Sequence, residues 1–334
     1  MSKCVAIILA ILFLPFTAKA QSDFDFTQRW FNESLYNPAA TGNSFGTDIF
    51  LHGRAQWIGL EGAPTTEAVY VNAYFEGLRS GFGLGLTGDQ IGFTHTYSCR
   101  AAYAYFVPTG KASYISFGLS ASIVSRNRNA YGALVDELDD PDLFYGNSSH
   151  LTPDFDFGVE YKGPIKIGAS IRHLGTIPST DFLGYAYNVW TYASMRINVA
   201  RGMSLEPVVS FMYREKISRY EAGAILRFYQ LDRKSGYDYK DRWWIGAISR
   251  FHGQFTIMAG MEITKNIRAG YSFDYGASDL ARISEKGSHE IFVALSFNRL
   301  FQKKELCPAF KNSGYDTRAK KKFMDRIKYK FEIY

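Results

Sequence analysis

The feature that most constrains the fold is an alternation of apolar and polar residues that repeats along most of the chain. In residues 154–162 the odd positions are all apolar: Phe155, Phe157, Val159 and Tyr161. The even positions carry charges or glycine. A β-strand places alternate residues on opposite faces, whereas a helix would mix them. The runs have about the 9–11 residues that a tilted strand needs to cross a membrane, so we predict transmembrane strands.

The alternation predicts fourteen strands, an even number. Their approximate ranges are 47–57, 66–76, 80–88, 94–106, 112–126, 154–162, 164–175, 185–199, 203–216, 219–230, 242–252, 254–264, 266–275 and 287–301. The second face of these strands carries Arg, Asp, Glu, Lys and Ser, which suits a hydrated barrel interior and not the apolar core of a soluble sandwich. Closure would also remove the unpaired edges that lipid cannot satisfy. We therefore predict an all-β, antiparallel transmembrane barrel.

The ends of the chain divide it further. Lys3, an apolar run over 5–16 and the small residues Ala18 and Ala20 are typical of a cleaved signal peptide over 1–20. No later run is apolar for the roughly 18 residues of a spanning helix. We predict an N-terminal periplasmic or lumenal segment (21–46), the barrel (47–301) and a basic C-terminal tail (302–334). The predicted location is the outer membrane of a Gram-negative bacterium, with both termini periplasmic.

Loop lengths support this orientation with one irregularity. The short turns at 162–164, 200–202 and 264–266 fall on the periplasmic side, and the longest loop, 127–153, falls outside. However, the turn at 216–218 is short where the count makes it external, and 231–241 is long where it is periplasmic. These two lengths leave the strand count open by two.

The distribution of charge argues against a nucleic-acid partner, and the cysteines leave one disulfide open. The tail has ten Lys or Arg residues and four Asp or Glu residues, so it accounts for the net charge of +6, and a nucleic-acid partner has no basis in the barrel. The tail could bind anionic lipid or an acidic partner, or be a solvated extension. Cys99 and Cys307 could form a disulfide in an oxidising periplasm, but nothing in their spacing requires one.

No motif indicates catalysis, a metal or a cofactor. The chain has no Gly-x-Ser-x-Gly motif, no phosphate-binding loop and no histidine pair at metal-ligand spacing. A membrane-embedded enzyme would need a Ser/His pair that converges only in space. The acidic run 136–142 could bind calcium through its carboxylates, but it lacks a regular calcium-loop spacing, which favours solvated loop acids.

Five segments resemble a known family. They are Tyr36-Asn37-Pro38-Ala39, residues 56–64 (QWIGLEGAP), residues 89–93 (DQIGF), residues 270–275 (GYSFDY) and residues 287–291 (GSHEI). Together they resemble the PorP/SprF family of outer-membrane proteins that work with the type IX secretion system and the gliding machinery. Asn-Pro and Glu-Gly-Ala-Pro also suit turns, so they either shape loops or contact a partner.

The resemblance implies a non-enzymatic role in secreting a large protein, such as an adhesin, and retaining it at the cell surface. The implied partners are the C-terminal sorting region of that protein, type IX secretion or motility components, and outer-membrane lipid. The candidate partner-contact residues are Asn37, Pro38, Glu61, Gly62, Pro64, Asp89, Gly92, Asp274, His289 and Glu290.

An alternative function, a diffusion channel or hydrophobic-solute transporter, suits the same architecture, because fold does not settle function. A transporter would need a charged constriction, or an apolar path with an internal plug. Residues 21–46 are few for a plug but enough to occlude part of a lumen.

Overall fold

The computed structural model describes ten stretches of the chain. They are residues 24–110, 113–129, 147–175, 187–200, 202–214, 217–231, 239–251, 253–264, 266–276 and 286–297. Within them lie β1 (Thr47–Ala55), β2 (Thr65–Phe75), β3 (Ser80–Ile91), β4 (Thr94–Gly110), β5 (Ser113–Asn129), β6 (Asn147–Lys162), β7 (Ile165–Arg172), β8 (Asn188–Met195), β9 (Ile197–Ala200), β10 (Met203–Arg214), β11 (Ile217–Leu231), β12 (Tyr239–Arg250), β13 (Gln254–Glu262), β14 (Ile267–Gly276) and β15 (Ser288–Phe297).

These strands close into one antiparallel barrel. Apart from β8 and β9, each strand pairs with its neighbours in the sequence, and β15 returns to pair with β1 from Thr47 opposite Phe297 to Ala55 opposite His289. β8 and β9 both pair with β10 and are separated only by Arg196, so they form one interrupted strand. The barrel therefore has fourteen strands, and the predicted fold class and count are confirmed.

Burial follows the predicted alternation. In β2 the residues Thr66, Ala68 and Tyr70 are buried, while Glu67 and Val69 between them are exposed. Large apolar side chains cover the outside of the barrel, among them Leu84, Leu86, Leu119 and Ile257, each more than half exposed. Such a surface suits lipid, not water. No helix in the described part of the chain is long and apolar enough to cross a membrane.

Some predicted boundaries were wrong. β1 ends at Ala55, and Trp57, predicted as its last outward residue, lies in the following turn with φ of +50°. β6 begins at Asn147, seven residues before its predicted start at 154, and β7 ends at Arg172 and not at 175.

The two ends of the barrel differ. We call the end where β1 begins the proximal end and the end where β1 finishes the distal end. The short turns at 76–79 and 163–164 lie at the proximal end, and the connections 56–64 and 92–93 lie at the distal end.

At the distal end, the strands on one side of the barrel extend further than the strands beside them. β5 and β6 pair from Tyr114 and Lys162 up to Asn129 and Asn147, but β7 pairs with β6 only as far as Phe157. We call the distal parts of β3–β6 the distal extension. Its outward side chains beyond the apolar surface are mainly polar: Gln90, His95, Ser125, Asn127 and Ser149.

Candidate functional site: a filled lumen and a distal surface

Residues 24–46, which we call the lumenal segment, lie inside the barrel. The segment forms three short 3-10 helices, Thr27–Phe31, Glu33–Leu35 and Pro38–Ala40, and most of its side chains are fully buried. It contacts inward-facing residues of strands all around the ring, from β1 through β6 and β12 to β15. A segment with contacts on every side can only occupy the lumen.

The segment begins in the distal half of the barrel, in a network of buried ion pairs. Arg29 is 0% exposed, and its guanidinium lies 2.6 Å from Asp25 Oδ1 and 3.2 Å from Glu221 Oε1. Arg250 lies 2.6 Å from the same oxygen of Glu221, and Arg219 lies 2.6 Å from Asp25. Buried charges are tolerated where they are paired in this way. The network therefore ties the segment to β11 and β12.

A second group of charges surrounds the backbone of the first 3-10 helix. Glu290 accepts hydrogen bonds from the N–H groups of Thr27 (2.6 Å) and Gln28 (2.8 Å). Arg54 bridges Glu290 at 3.0 Å and Asp274 at 2.5 Å, and also donates to the Thr27 hydroxyl. The Glu290 carboxylate therefore satisfies backbone N–H groups that would otherwise be unpaired at the start of a helix, and Asp274 accepts from the Thr27 hydroxyl.

Aromatic packing fills the middle of the lumen. Trp30 packs edge-on against Trp190, with ring centroids 6.5 Å apart. Phe31 stacks on Phe292 at 5.2 Å and lies 5.0 Å from Trp244. Trp190 and Trp244 are almost completely buried although they point inward from the wall. The interior here is an apolar core and not a water-filled passage.

Glycines in the wall allow the segment to approach closely. Asn37 caps the third 3-10 helix by accepting from the Ala39 N–H (3.0 Å), and its amide donates to the Val159 carbonyl (3.1 Å). A Cβ at Gly118 would overlap the backbone of Pro38 and Ala39, and one at Gly158 would overlap the Asn37 side chain. These inward positions carry no side chain, because the lumenal segment occupies the space that a side chain would fill.

The segment leaves at the proximal end. Its Thr41 carbonyl lies against Gly81, the second residue of β3, where a Cβ would overlap it. The Asn43 carbonyl accepts from Lys162, the last residue of β6. The described chain therefore runs from the distal half of the lumen to the proximal end and then turns into β1.

A cavity of about 200 Å³ remains beside the segment in the proximal half of the lumen. Charges of both signs line it, and most are paired, as in the Glu33–Lys166 pair and the Arg227–Glu206 pair at 2.6 Å. Residues 30–34 and 42–44 of the segment form one side, so the cavity ends against the segment.

The expectation of a hydrated interior needs correction. The predicted inward charges are present, but many contact the lumenal segment and each other. Polar side chains on the inward faces indicate that the interior is not purely apolar. They do not indicate whether water or a polar peptide segment fills it.

Four of the predicted partner-contact residues lie inside the barrel. Asn37 and Pro38 belong to the lumenal segment, and Asp274 and Glu290 hold its first helix. All four are buried, and their contacts in this structure are with groups of the chain itself. The structure brings Asp274 and Glu290 together through Arg54.

The other candidates lie at the distal end. Glu61 and Gly62 are exposed, Pro64 is half-buried, and the Gly92 N–H donates to the Gly62 carbonyl at 3.0 Å, which joins the β1–β2 and β3–β4 turns. Asp89 accepts from the Thr66 hydroxyl at 2.6 Å.

His289 lies apart from these turns, on the outward face of β15. Its ring is bound to Tyr271 OH and to the Lys286 carbonyl. Partner contact by Glu61, Gly62, Pro64, Asp89, Gly92 and His289 stays a prediction.

Sequence reasoning missed a cluster of Asp154, Asp156 and His173, whose possible ligand atoms lie within 4.8 Å of one another. All three are buried, but their polar atoms are already engaged. His173 Nδ1 lies 2.6 Å from Asp154, and Asp156 is paired with Arg100. Because the positive charge of Arg100 already neutralises a carboxylate here, we assign no metal to this cluster.

It also missed Arg54, Arg250 and Glu221, which hold the lumenal segment. Their inward position was predictable from the alternation, but their partners in the segment were not. Other predictions fall outside the described residues: the signal peptide, the acidic run 136–142, Cys307 and the tail. Cys99 is described and lies exposed on the outward face of β4.

This chain is similar to several solved structures at low sequence identity. Omp33 of Acinetobacter baumannii is 11% identical over 76% of this chain and 98% of its own, with a TM-score of 0.42. The Ralstonia pickettii toluene transporter TbuX is 11% identical over 79% and 92%, with a TM-score of 0.47. The P. putida toluene transporter TodX is 10% identical over 80% and 94%, with a TM-score of 0.46. Similarity at this level carries no argument about function.

No curated protein matches the sequence significantly. One family does. The family described as type IX secretion system membrane protein PorP/SprF matches residues 18–295, which include the lumenal segment and nearly the whole barrel. The match covers well over half of the chain, and the resemblance carried by the short motifs is confirmed. This outer-membrane β-barrel belongs to the PorP/SprF family of type IX secretion system membrane proteins.

Proposed function

We propose that this protein is a non-enzymatic docking component that supports type IX secretion and retains a large secreted protein, such as an adhesin, at the cell surface. In this proposal the distal end faces outward and binds the C-terminal sorting region of the secreted protein. The proximal turns or the basic tail face the periplasm and contact the secretion or motility components.

One observation carries the proposal beyond family membership: the barrel contains its own N-terminal segment. A lumen that is filled with ion-paired and aromatic side chains offers a solute no wide passage. Function then falls to the surfaces that remain accessible. At the distal end these are the turns joined at Gly62 and Gly92 and the polar distal extension.

The extension supports docking for a physical reason. Strands that rise beyond the apolar surface hold backbone and side chains rigidly above the membrane, whereas a loop alone would have to be ordered on binding. Half-exposed Arg126 and Arg128 lie on its inward face, with Asp89 and Thr96. A peptide segment with mixed charges would suit this surface.

The channel alternative has less support. Conduction would require the lumenal segment to leave, which would break the Arg29–Glu221 and Arg54–Glu290 ion pairs and expose the aromatic core. No observation in the described residues favours that event.

Affinity capture tests the proposal. A tag inserted at Gly77, in an exposed proximal turn with open space around it, avoids both chain ends and the distal surface. After purification from native membranes in mild detergent, mass spectrometry should identify a large secreted protein, type IX components, or both. A tagged chain that also carries Glu61→Lys and Asp89→Lys provides the matched control and should recover less of the secreted protein. Recovery of the barrel alone after cross-linking would contradict the proposal.

A further inference from the structure

The outer wall of the barrel has one region that differs from the rest near the distal end. Aromatic side chains face outward on several other strands or just beyond their ends: Tyr97, Phe155, Tyr220, Phe251, Phe255 and Tyr275 are all 42–66% exposed. Aromatic residues commonly form such a girdle at the membrane interface. In the row that strand register joins to Tyr97, β1, β2 and β3 carry Gly53, Glu67 and Gly88. These three adjacent strands therefore have no outward aromatic side chain in this row.

Strand register places Glu67 between two glycines. Gly53 on β1 and Gly88 on β3 lie directly opposite it, and Ile291 and Tyr97 lie opposite those glycines in turn. A Cβ at Gly53 would meet only Ile291, at 3.7 Å, and one at Gly88 only the Tyr97 ring, at 3.5 Å. The exposed Glu67 side chain thus stands between two shallow depressions in the wall.

Glu67 lies at the edge of the apolar surface. The next outward row toward the proximal end is apolar, with Leu51, Val69 and Leu86 between 41% and 59% exposed. The next row toward the distal end is Ala55, Thr65 and Gln90. Every other Asp, Glu, Lys and Arg on the described parts of β1–β6 faces inward. No ion pair of Glu67 occurs among the described residues.

A charged group on the lipid face of a barrel is destabilising, more so with depth. A cationic side chain from a neighbour would neutralise it, and the flanking glycines would let that neighbour approach closely. We propose that the outer wall of β1–β3, centred on Glu67, is a lateral docking surface for a second membrane-embedded protein that presents a Lys or Arg at this depth.

The charge complementarity argues against other occupants. In a symmetric dimer of this chain through the same surface, two carboxylates would face each other, and such like-charge contacts are unfavourable. Acyl chains would leave the carboxylate unpaired. The surface is separate from the distal face that we assign to the secreted protein, so either proposal can fail without the other.

Site-specific photo-cross-linking in native cells tests this surface. A photoreactive amino acid at Thr65, adjacent on the outward face of β2, should form an adduct with a discrete membrane protein. Glu67→Lys should lower the adduct yield at least about tenfold. The new cation would face the Lys or Arg of the partner, and such a like-charge contact costs more than about 1.4 kcal/mol. Gly88→Leu, which fills one depression, should also lower the adduct yield.

Ser249→Lys, on the outward face of β12, is the matched control and should leave the yield unchanged. Heat-modifiable migration on gels verifies that each variant folds.

Charge exchange completes the test. Replacing the cross-linked Lys or Arg of the partner by Glu should restore the adduct in the Glu67→Lys variant. An adduct that does not depend on the charge at position 67, an adduct with a second copy of this chain, or an adduct with lipid alone would overturn the proposal.

Discussion

At the residue scale, the interior of the barrel is stabilised by buried charged side chains that are paired with one another. Arg54 contacts two buried carboxylates and a hydroxyl of the lumenal segment. The alternation predicts that Arg54, Asp274 and Glu290 face inward, and family resemblance singled out Asp274 and Glu290. Neither predicts that they bind the lumenal segment, since that depends on residues 27 and 28 lying close to them in space.

The Arg54→Ala variant should be markedly less stable. It leaves Asp274 and Glu290 buried without their cation, and breaking a buried pair in this way costs about 3–5 kcal/mol. The free energy of unfolding in urea, measured on protein refolded in lipid, should fall by that amount. Arg196→Ala removes the more exposed pair with Asp241 and should cost less than about 1 kcal/mol. Equal losses in the two variants would contradict the role given to Arg54.

The inward glycines make a second prediction. Gly118→Val places a side chain where Pro38 and Ala39 lie, so the lumenal segment should be displaced. Trypsin should then cleave after Arg29, which is inaccessible in the wild type, and the shortened chain should be visible by mass spectrometry. Gly77→Ala, at a glycine with open space around it, should leave Arg29 protected. Cleavage in neither variant would mean that the segment tolerates the added side chain.

At the element scale, strands were predictable where one face meets lipid. The alternation is strong in residues 154–162 but weak in 147–153, where β6 begins. This part rises beyond the apolar surface, so no apolar face is required and no alternation marks it. The lumenal segment was not predictable, because its short 3-10 helices have no period and its position depends on strands distant in sequence. Glycine at inward positions 118 and 158 was the one available signal.

Deleting residues 24–44 should convert the barrel into a pore. Inward arginines and carboxylates that now contact the segment would be hydrated, as in a water-filled barrel. The deletion variant should show steady conductance in planar bilayers, whereas the intact protein should not. The same conductance from both proteins would contradict the occlusion of the lumen.

At the scale of the whole molecule, the two ends have different roles only if they face different compartments. Single cysteines at Glu61 and Gly77, in a chain with Cys99→Ser and Cys307→Ser, mark the distal and proximal ends. A membrane-impermeant maleimide applied to intact cells should label position 61 and should label position 77 only after permeabilisation. The reverse pattern would place the distal surface in the periplasm and exclude it as a surface anchor.

The central claim is retention of a secreted protein at the cell surface. It is tested most directly by quantitative proteomics of the cell-surface and medium fractions of a strain that lacks this protein, compared with its parent. The docking account predicts that one or a few large secreted proteins disappear from the cell surface, by release into the medium or failure of export, and that the wild-type gene restores them. Unchanged surface levels of every secreted protein would contradict it.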